Sequence, residues 1–186
     1  MSLGSTPFLA KVFMGWIAVV LSSIVVYGCS SETIALSQKD NLDRSVPVEN
    51  APTVQPLPLL ARARVGDRWI ALEVARTPQQ QAQGLMYRDS IDDDRGMLFP
   101  FEPPQPVQFW MKNVRIDLDM IFLYEGEVVG IAENVPPCRT ARCPTYSPGA
   151  GVLVDNVIEL RGGRASELGV SVGDRVEIEF LDEPLS

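Results

Sequence analysis

The apolar positions change their period several times along the chain, and each change marks an element. Residues 12–28, VFMGWIAVVLSSIVVYG, hold thirteen apolar residues in seventeen, with Lys11 just ahead and Cys29 just behind. That block falls short of the ~20 apolar residues a spanning helix needs. Residues 30–60 lose the pattern: polar residues scatter among Pro47, Pro52, Pro56 and Pro58. Proline fixes φ and lacks an N–H, so this stretch cannot run through a helix or a central strand. From residue 61 alternation sets in. Arg62–Val65 and Arg68–Ala75 flank Gly66-Asp67 as two arms of a hairpin, with Ile70, Leu72 and Val74 on one face. Thr77-Pro78-Gln79-Gln80 reads as a capped helix start and Gly84 as its stop.

Further along, Gly96–Phe101 is apolar, and Val107, Phe109 and Met111 alternate with Gln108, Trp110 and Lys112. The alternation predicts a half-buried strand over 107–113. Leu118–Tyr124 and Glu127–Ala132 straddle Glu125-Gly126 as a second hairpin. A strand follows over 151–160, then a helical turn at Ala165–Leu168 and a last strand over 175–180. Seven or eight short strands at near-regular spacing predict a mainly β domain, a single antiparallel sandwich or barrel with one or two short helices. About 120 residues suffice for one core. No unit of 20–50 residues repeats, and no glycine-rich phosphate loop is present.

Three segments result. Residues 1–28 have a weakly basic start, an apolar core and small residues near the end, which describes a secretory signal. Val26-Tyr27-Gly28-Cys29 resembles the bacterial lipoprotein signal, in which such a cysteine is acylated, with Tyr27 where Ala or Ser is usual. The alternative is a retained anchor helix. Either way the rest is expected outside the cytoplasm, on the periplasmic or another extracytoplasmic face, tied to a membrane. Residues 29–60 read as a tether that spans roughly 90 Å when extended, or as a linker with a short strand near Leu57–Leu60. Residues 61–182 are the β domain.

Charge narrows the partners. Sixteen Lys+Arg stand against 24 Asp+Glu, net −8, and removing residues 1–28 leaves −9. Such a body does not suit nucleic acid, whose phosphates need clustered cations, and it is better held off anionic lipid than laid on it. The chain has no His. That excludes a Ser-His-Asp triad, an imidazole acid–base pair and His-ligated metal.

The remaining chemistry lies in a few constellations. Cys138 and Cys143, four residues apart in CRTARC, suit a disulfide in an exported protein. A redox or metal-binding thiol pair fits less well, because thioredoxin-like chemistry uses two intervening residues beside a βαβ unit. Met86, Met97, Met111 and Met120 could offer soft sulfur to Cu(I), but strand-borne Met usually fills a core. Trp110, Lys112 and Asn113, with Arg88 nearby in sequence, form a candidate ligand face: an aromatic with amide and charge can stack a sugar or grip a small acid. Asp117 and Asp119 are candidate hydrolase carboxylates, with a turn or surface role as the plainer alternative. Asp92-Asp93-Asp94 lacks the calcium-loop spacing, so neither metal nor cofactor is expected.

Several phrases also come in a characteristic order. They are Gly84-Leu85-Met86-Tyr87-Arg88, Gly96-Met97-Leu98-Phe99, Phe109-Trp110-Met111-Lys112-Asn113, Leu118-Asp119 and Ile121-Phe122, then Pro136-Pro137-Cys138, Cys143-Pro144 and Gly173-Asp174. Over residues 62–181 the chain resembles the family catalogued as domain of unknown function 192. The resemblance implies a compact, jelly-roll-like β fold, often exported, and no established activity. The expectation is a membrane-tethered binding module for a glycan, a small ligand or an envelope protein, reached through the Trp110 face and the Cys138–Cys143 loop.

Overall fold

A computed structural model describes residues 55–185. The expected signal, the acylated Cys29 and most of the tether lie outside these residues. Nine strands and two short helices follow in the order β1 (Leu59–Val65), β2 (Arg68–Val74), α1 (Pro78–Gln83), β3 (Arg95–Gln105), β4 (Phe109–Trp110), β5 (Leu118–Tyr124), β6 (Glu127–Val135), β7 (Thr145–Tyr146), β8 (Val154–Arg161), α2 (Arg164–Glu167) and β9 (Glu177–Phe180). The domain is mainly β, as its alternation predicts.

Seven strands form one curled sheet in the order β6-β5-β8-β3-β2-β1-β9. The backbone just ahead of β9 returns to the start of β6. Val128 N–H donates to Asp174 O, Gly173 N–H to Val128 O, and Val176 N–H to Gly126 O. The two edges of the sheet therefore meet at one end, and the sheet rolls into a barrel. All but one of its strand pairs are antiparallel, and β2–β3 is parallel. A parallel pair needs a crossover longer than a hairpin turn. Residues 75–94 supply it, with α1 inside them.

Both faces of the sheet are covered, which explains why β5 is buried at six of seven positions. Leu98, Ile121, Leu123, Ile158 and Leu160 point one way and join Val65, Ile70, Leu72 and Val176 inside the barrel. Met97, Phe99, Met120, Phe122 and Val157 point the other way, under Leu85, Val107, Met111 and Val114. A sheet buried on both faces reads as continuous apolar runs instead of alternation. Burying each large apolar side chain contributes about 1.5–3 kcal/mol.

The local signals produce the expected elements. Both hairpins form, with Val65 opposite Arg68 and Tyr124 opposite Glu127. Glu125 and Gly126 both take positive φ, as a tight two-residue turn requires. Thr77 and Gln80 make a reciprocal capping box at α1. Two expectations change. The strand expected over 107–113 shrinks to β4, paired with β7 in a separate two-stranded sheet. Its alternation survives as burial: Val107 and Met111 are buried, while Gln108, Trp110 and Lys112 are exposed. The strand expected from residue 151 starts at Val154, because Gly149 and Gly151 both hold positive φ in the preceding turn.

Candidate functional site

The second layer over the barrel is made of loops, and their backbone fixes where the candidate residues stand. Met111 O accepts from Val114 N–H and from Cys138 N–H, and Lys112 bridges Cys138. Phe109 and Trp110 pair with Tyr146 and Thr145. The expected ligand face and the cysteine loop are therefore neighbours. Cys138 and Cys143 form a disulfide with Cα atoms 5.6 Å apart, which staples the loop between these two attachments.

Trp110 is 46% exposed, and the Lys112 ammonium sits 5.2 Å from its ring centroid. Lys112 thus lies against an aromatic instead of an acid, a weak cation–π contact at an exposed site. Asn113 takes φ +60. Its carbonyl accepts from Tyr87 N–H, and its Nδ2 donates to Met86 Sδ at 3.7 Å. Asn113 therefore ties two loops together beside the face.

Arg88 is not brought to Trp110. Its guanidinium pairs with Glu73 at 2.7 Å, both side chains mostly buried, and Glu73 also accepts from Leu57 N–H. Arg88 Nε is buried with no hydrogen-bond partner among the described residues. Arg88 and Glu73 line a separate cleft with Ser90, Ile91 and Arg95.

The two carboxylates expected as catalytic candidates also part company. Asp119 is fully buried. Its Oδ1 accepts from Asn134 N–H (2.6 Å) and Gly163 N–H (3.0 Å), and its Oδ2 from Ala165 N–H (2.6 Å). Gly163 has no side chain to cap α2, so Asp119 caps it from across the sheet. A carboxylate closed off by three backbone donors has no access to substrate. Asp117 is exposed at the head of β5. Met97, Met111 and Met120 are fully buried core residues and Met86 is half-buried beside them, so the thioethers fill space, as Met on strands usually does.

What the structure adds is a groove and its floor. Phe99, Phe101, Phe109 and Trp110, with Gln81, Gln105 and Gln108, line an open groove of about 330 Å³ between α1 and β4. The rings brace one another edge to face, Phe109 standing 5.1 Å from Phe99, 6.3 Å from Phe101 and 6.0 Å from Phe122. Gln81 Nε2 donates to Pro100 O and holds α1 to β3 along one wall. Gln81, Ala82, Phe99, Phe109 and Trp110 also line a smaller chamber of about 30 Å³, whose walls include Gln83, Gly84, Leu85, Met86, Val114 and Glu159. A chamber of that size holds a water or a single small polar group.

Glu159 is the residue the sequence reading passes over. It lies on β8 between Met97 of β3 and Met120 of β5, and only 5% of it is exposed. No hydrogen bond or ion pair to its carboxyl exists among the described residues. Burial pushes its pKa up to about 8. A lone Glu within Val157-Ile158-Glu159-Leu160 was the available signal: an acid in a run apolar on both parities.

The DUF192 family model, "Uncharacterized ACR", matches residues 61–178. A candidate transcription regulator from Sinorhizobium meliloti 1021 is similar in structure, with 36% identity, TM-score 0.57, and coverage of 67% of this chain and 95% of that one. A protein of unknown function from Novosphingobium aromaticivorans DSM 12444 is also 36% identical, with TM-score 0.58 over 69% of this chain and 94% of that one. No curated protein matches.

Proposed function

We propose, from the premise that this chain belongs to the DUF192 family, that it is a non-enzymatic binding module that takes a small organic ligand in its aromatic groove. The carrying observation is the groove itself: Phe99, Phe101 and Phe109 packed edge to face, the exposed Trp110 beside them, and amide side chains on the walls. Binding sites are typically apolar concavities with a few placed polar groups, and a ring face flanked by amides suits stacking on a sugar or another flat ligand. The disulfide loop and Lys112 stand beside the mouth, where they would meet the parts of a ligand that project outward. The residues ahead of Leu57 complete the reading: an N-terminal signal or anchor and a proline-containing tether would hold the module on the extracytoplasmic face of a membrane, with Cys29 as the lipid attachment point.

Saturation-transfer NMR against a set of monosaccharides and small aromatics tests the groove. The expected result is a subset of binders whose signal falls by an order of magnitude or more in Trp110→Ala. Binders that Trp110→Ala leaves unaffected, or a set with no binders, would overturn the reading.

A further inference from the structure

Among the described residues no group pairs with the Glu159 carboxyl, and the side chain, 5% exposed, is placed where a ligand could supply a partner. Glu159 lines the chamber beside the groove, and the other walls are apolar or aromatic except for the amides and backbone of the last turn of α1. Among the described residues no other ionisable side chain lines either space. On the same sheet face Arg95 on β3 and Arg161 on β8 stand two positions along, the latter held by Asp93 and Glu167, and Glu73 of β2 stands in the same row beyond Met97, paired with Arg88. On β5 the corresponding neighbours, Leu118 and Phe122, are apolar. Lys112 remains outside, against the Trp110 ring.

From this arrangement we infer that the groove recognises a primary amine: the ammonium head enters the chamber and pairs with Glu159, while the body of the ligand lies on Phe109 and Trp110. The inference rests on the groove reading above and names the ligand class. Three features select the head group. The chamber admits one small polar group and is too small for a trimethylated ammonium. Aromatic faces attract a cation through their negative quadrupole. A desolvated carboxylate forms its strongest bonds with a charged donor. A neutral head can bond only to the protonated acid and forgoes the charge-assisted pair, and an anionic head would keep the carboxyl protonated and gain no ion pair.

The inference carries a proton signature. At pH 7 a carboxyl with a pKa of about 8 is mostly protonated, and pairing with an ammonium favours its ionised form. Binding therefore releases close to one proton at pH 7. Affinity rises about five-fold from pH 7 to pH 8, because the ionised fraction rises by that factor while the amine stays charged.

Benzylamine and benzyl alcohol are the probes, measured by calorimetry on the purified protein in two buffers of different ionisation enthalpy. The wild type should bind benzylamine at least ten-fold more tightly than the alcohol, with the proton release stated. Glu159→Gln, checked for its fold by circular dichroism, should lose about ten-fold or more for the amine and little for the alcohol. Equal binding of the two probes, or an amine affinity that Glu159→Gln leaves unchanged, overturns the amine inference and leaves the groove standing. Absence of binding by both probes overturns the inference too. The groove reading then survives only if other fragments bind and lose binding in Trp110→Ala.

Discussion

Replacing Glu159 by Gln should make the protein more stable near neutral pH and abolish a pH dependence. The folded carboxyl keeps its proton up to about pH 8, whereas the unfolded one releases it near its ordinary value of 4.5. Between those values the folded state binds more protons than the unfolded state. Stability therefore falls as pH rises through this window and is level above about pH 8. Each unit is worth 1.36 kcal/mol, so the whole window is worth about 5 kcal/mol and the span from pH 5 to pH 8 about 4 kcal/mol. A domain of this size has a total stability of roughly 5–15 kcal/mol, and 1 kcal/mol moves its Tm by roughly 4 °C. Urea unfolding of wild type and Glu159→Gln at pH 5, 6, 7 and 8 reads the effect directly. The two curves should lie close together at pH 5 and separate by about 1 kcal/mol per unit up to pH 8, with the variant the more stable. Parallel curves across the range would refute the argument. They would show that water or a polar group solvates Glu159 in the folded state.

Asp119→Ala leaves the N–H groups of Asn134, Gly163 and Ala165 without their acceptor. At about 1–3 kcal/mol per buried group, with the Asn134 and Gly163 bonds only partly buried and so at the low end, the expected loss is about 3–5 kcal/mol by chemical denaturation, and a change under 1 kcal/mol would contradict the capping role. Cys143→Ser opens a six-residue loop and should cost about 2 kcal/mol, while hydrogen exchange should quicken at Cys138 and Thr145, which bridge Lys112 and pair with Trp110. Cys29→Ser should move the protein from the membrane fraction to the soluble fraction when cells are separated by centrifugation. A distribution like that of the wild type would contradict lipid attachment at that cysteine.

Local chemistry made much of the fold legible. The Gly66-Asp67 and Glu125-Gly126 turns, the Thr77–Gln80 box and the alternation at 107–112 each act over a few residues, and each is found. The structure has nine strands where the pattern predicts seven or eight, because the two-residue β7 (Thr145–Tyr146) is marked by no run of its own. The parallel β2–β3 pair was hidden because its crossover depends on where residues 75–94 return, which no local pattern encodes. The site was half legible. Trp110 and Lys112 read correctly as an outward face, and the structure sets the cysteine loop beside it. Arg88 is near Trp110 in sequence but turns to Glu73, a partner fifteen residues back. Asp119 draws its donors from three segments remote from β5, so its capping role has no sequence signature. Glu159 was masked by a parity rule. Where only one face of a strand is buried, an acid marks the wet face. Here both faces are covered, and the acid marks the place where the second layer leaves a gap.

β1 and β9 run side by side and antiparallel, with Ala61 opposite Phe180. The domain's first and last strands thus enter and leave the barrel as adjacent rungs, about one strand spacing apart. A unit whose ends are so close is geometrically a cassette. It can hang from a chain on one side, be spliced into a surface loop of a host protein, or have its ends joined and reopened at the Glu125-Gly126 turn, without moving the walls that frame Trp110 and Glu159.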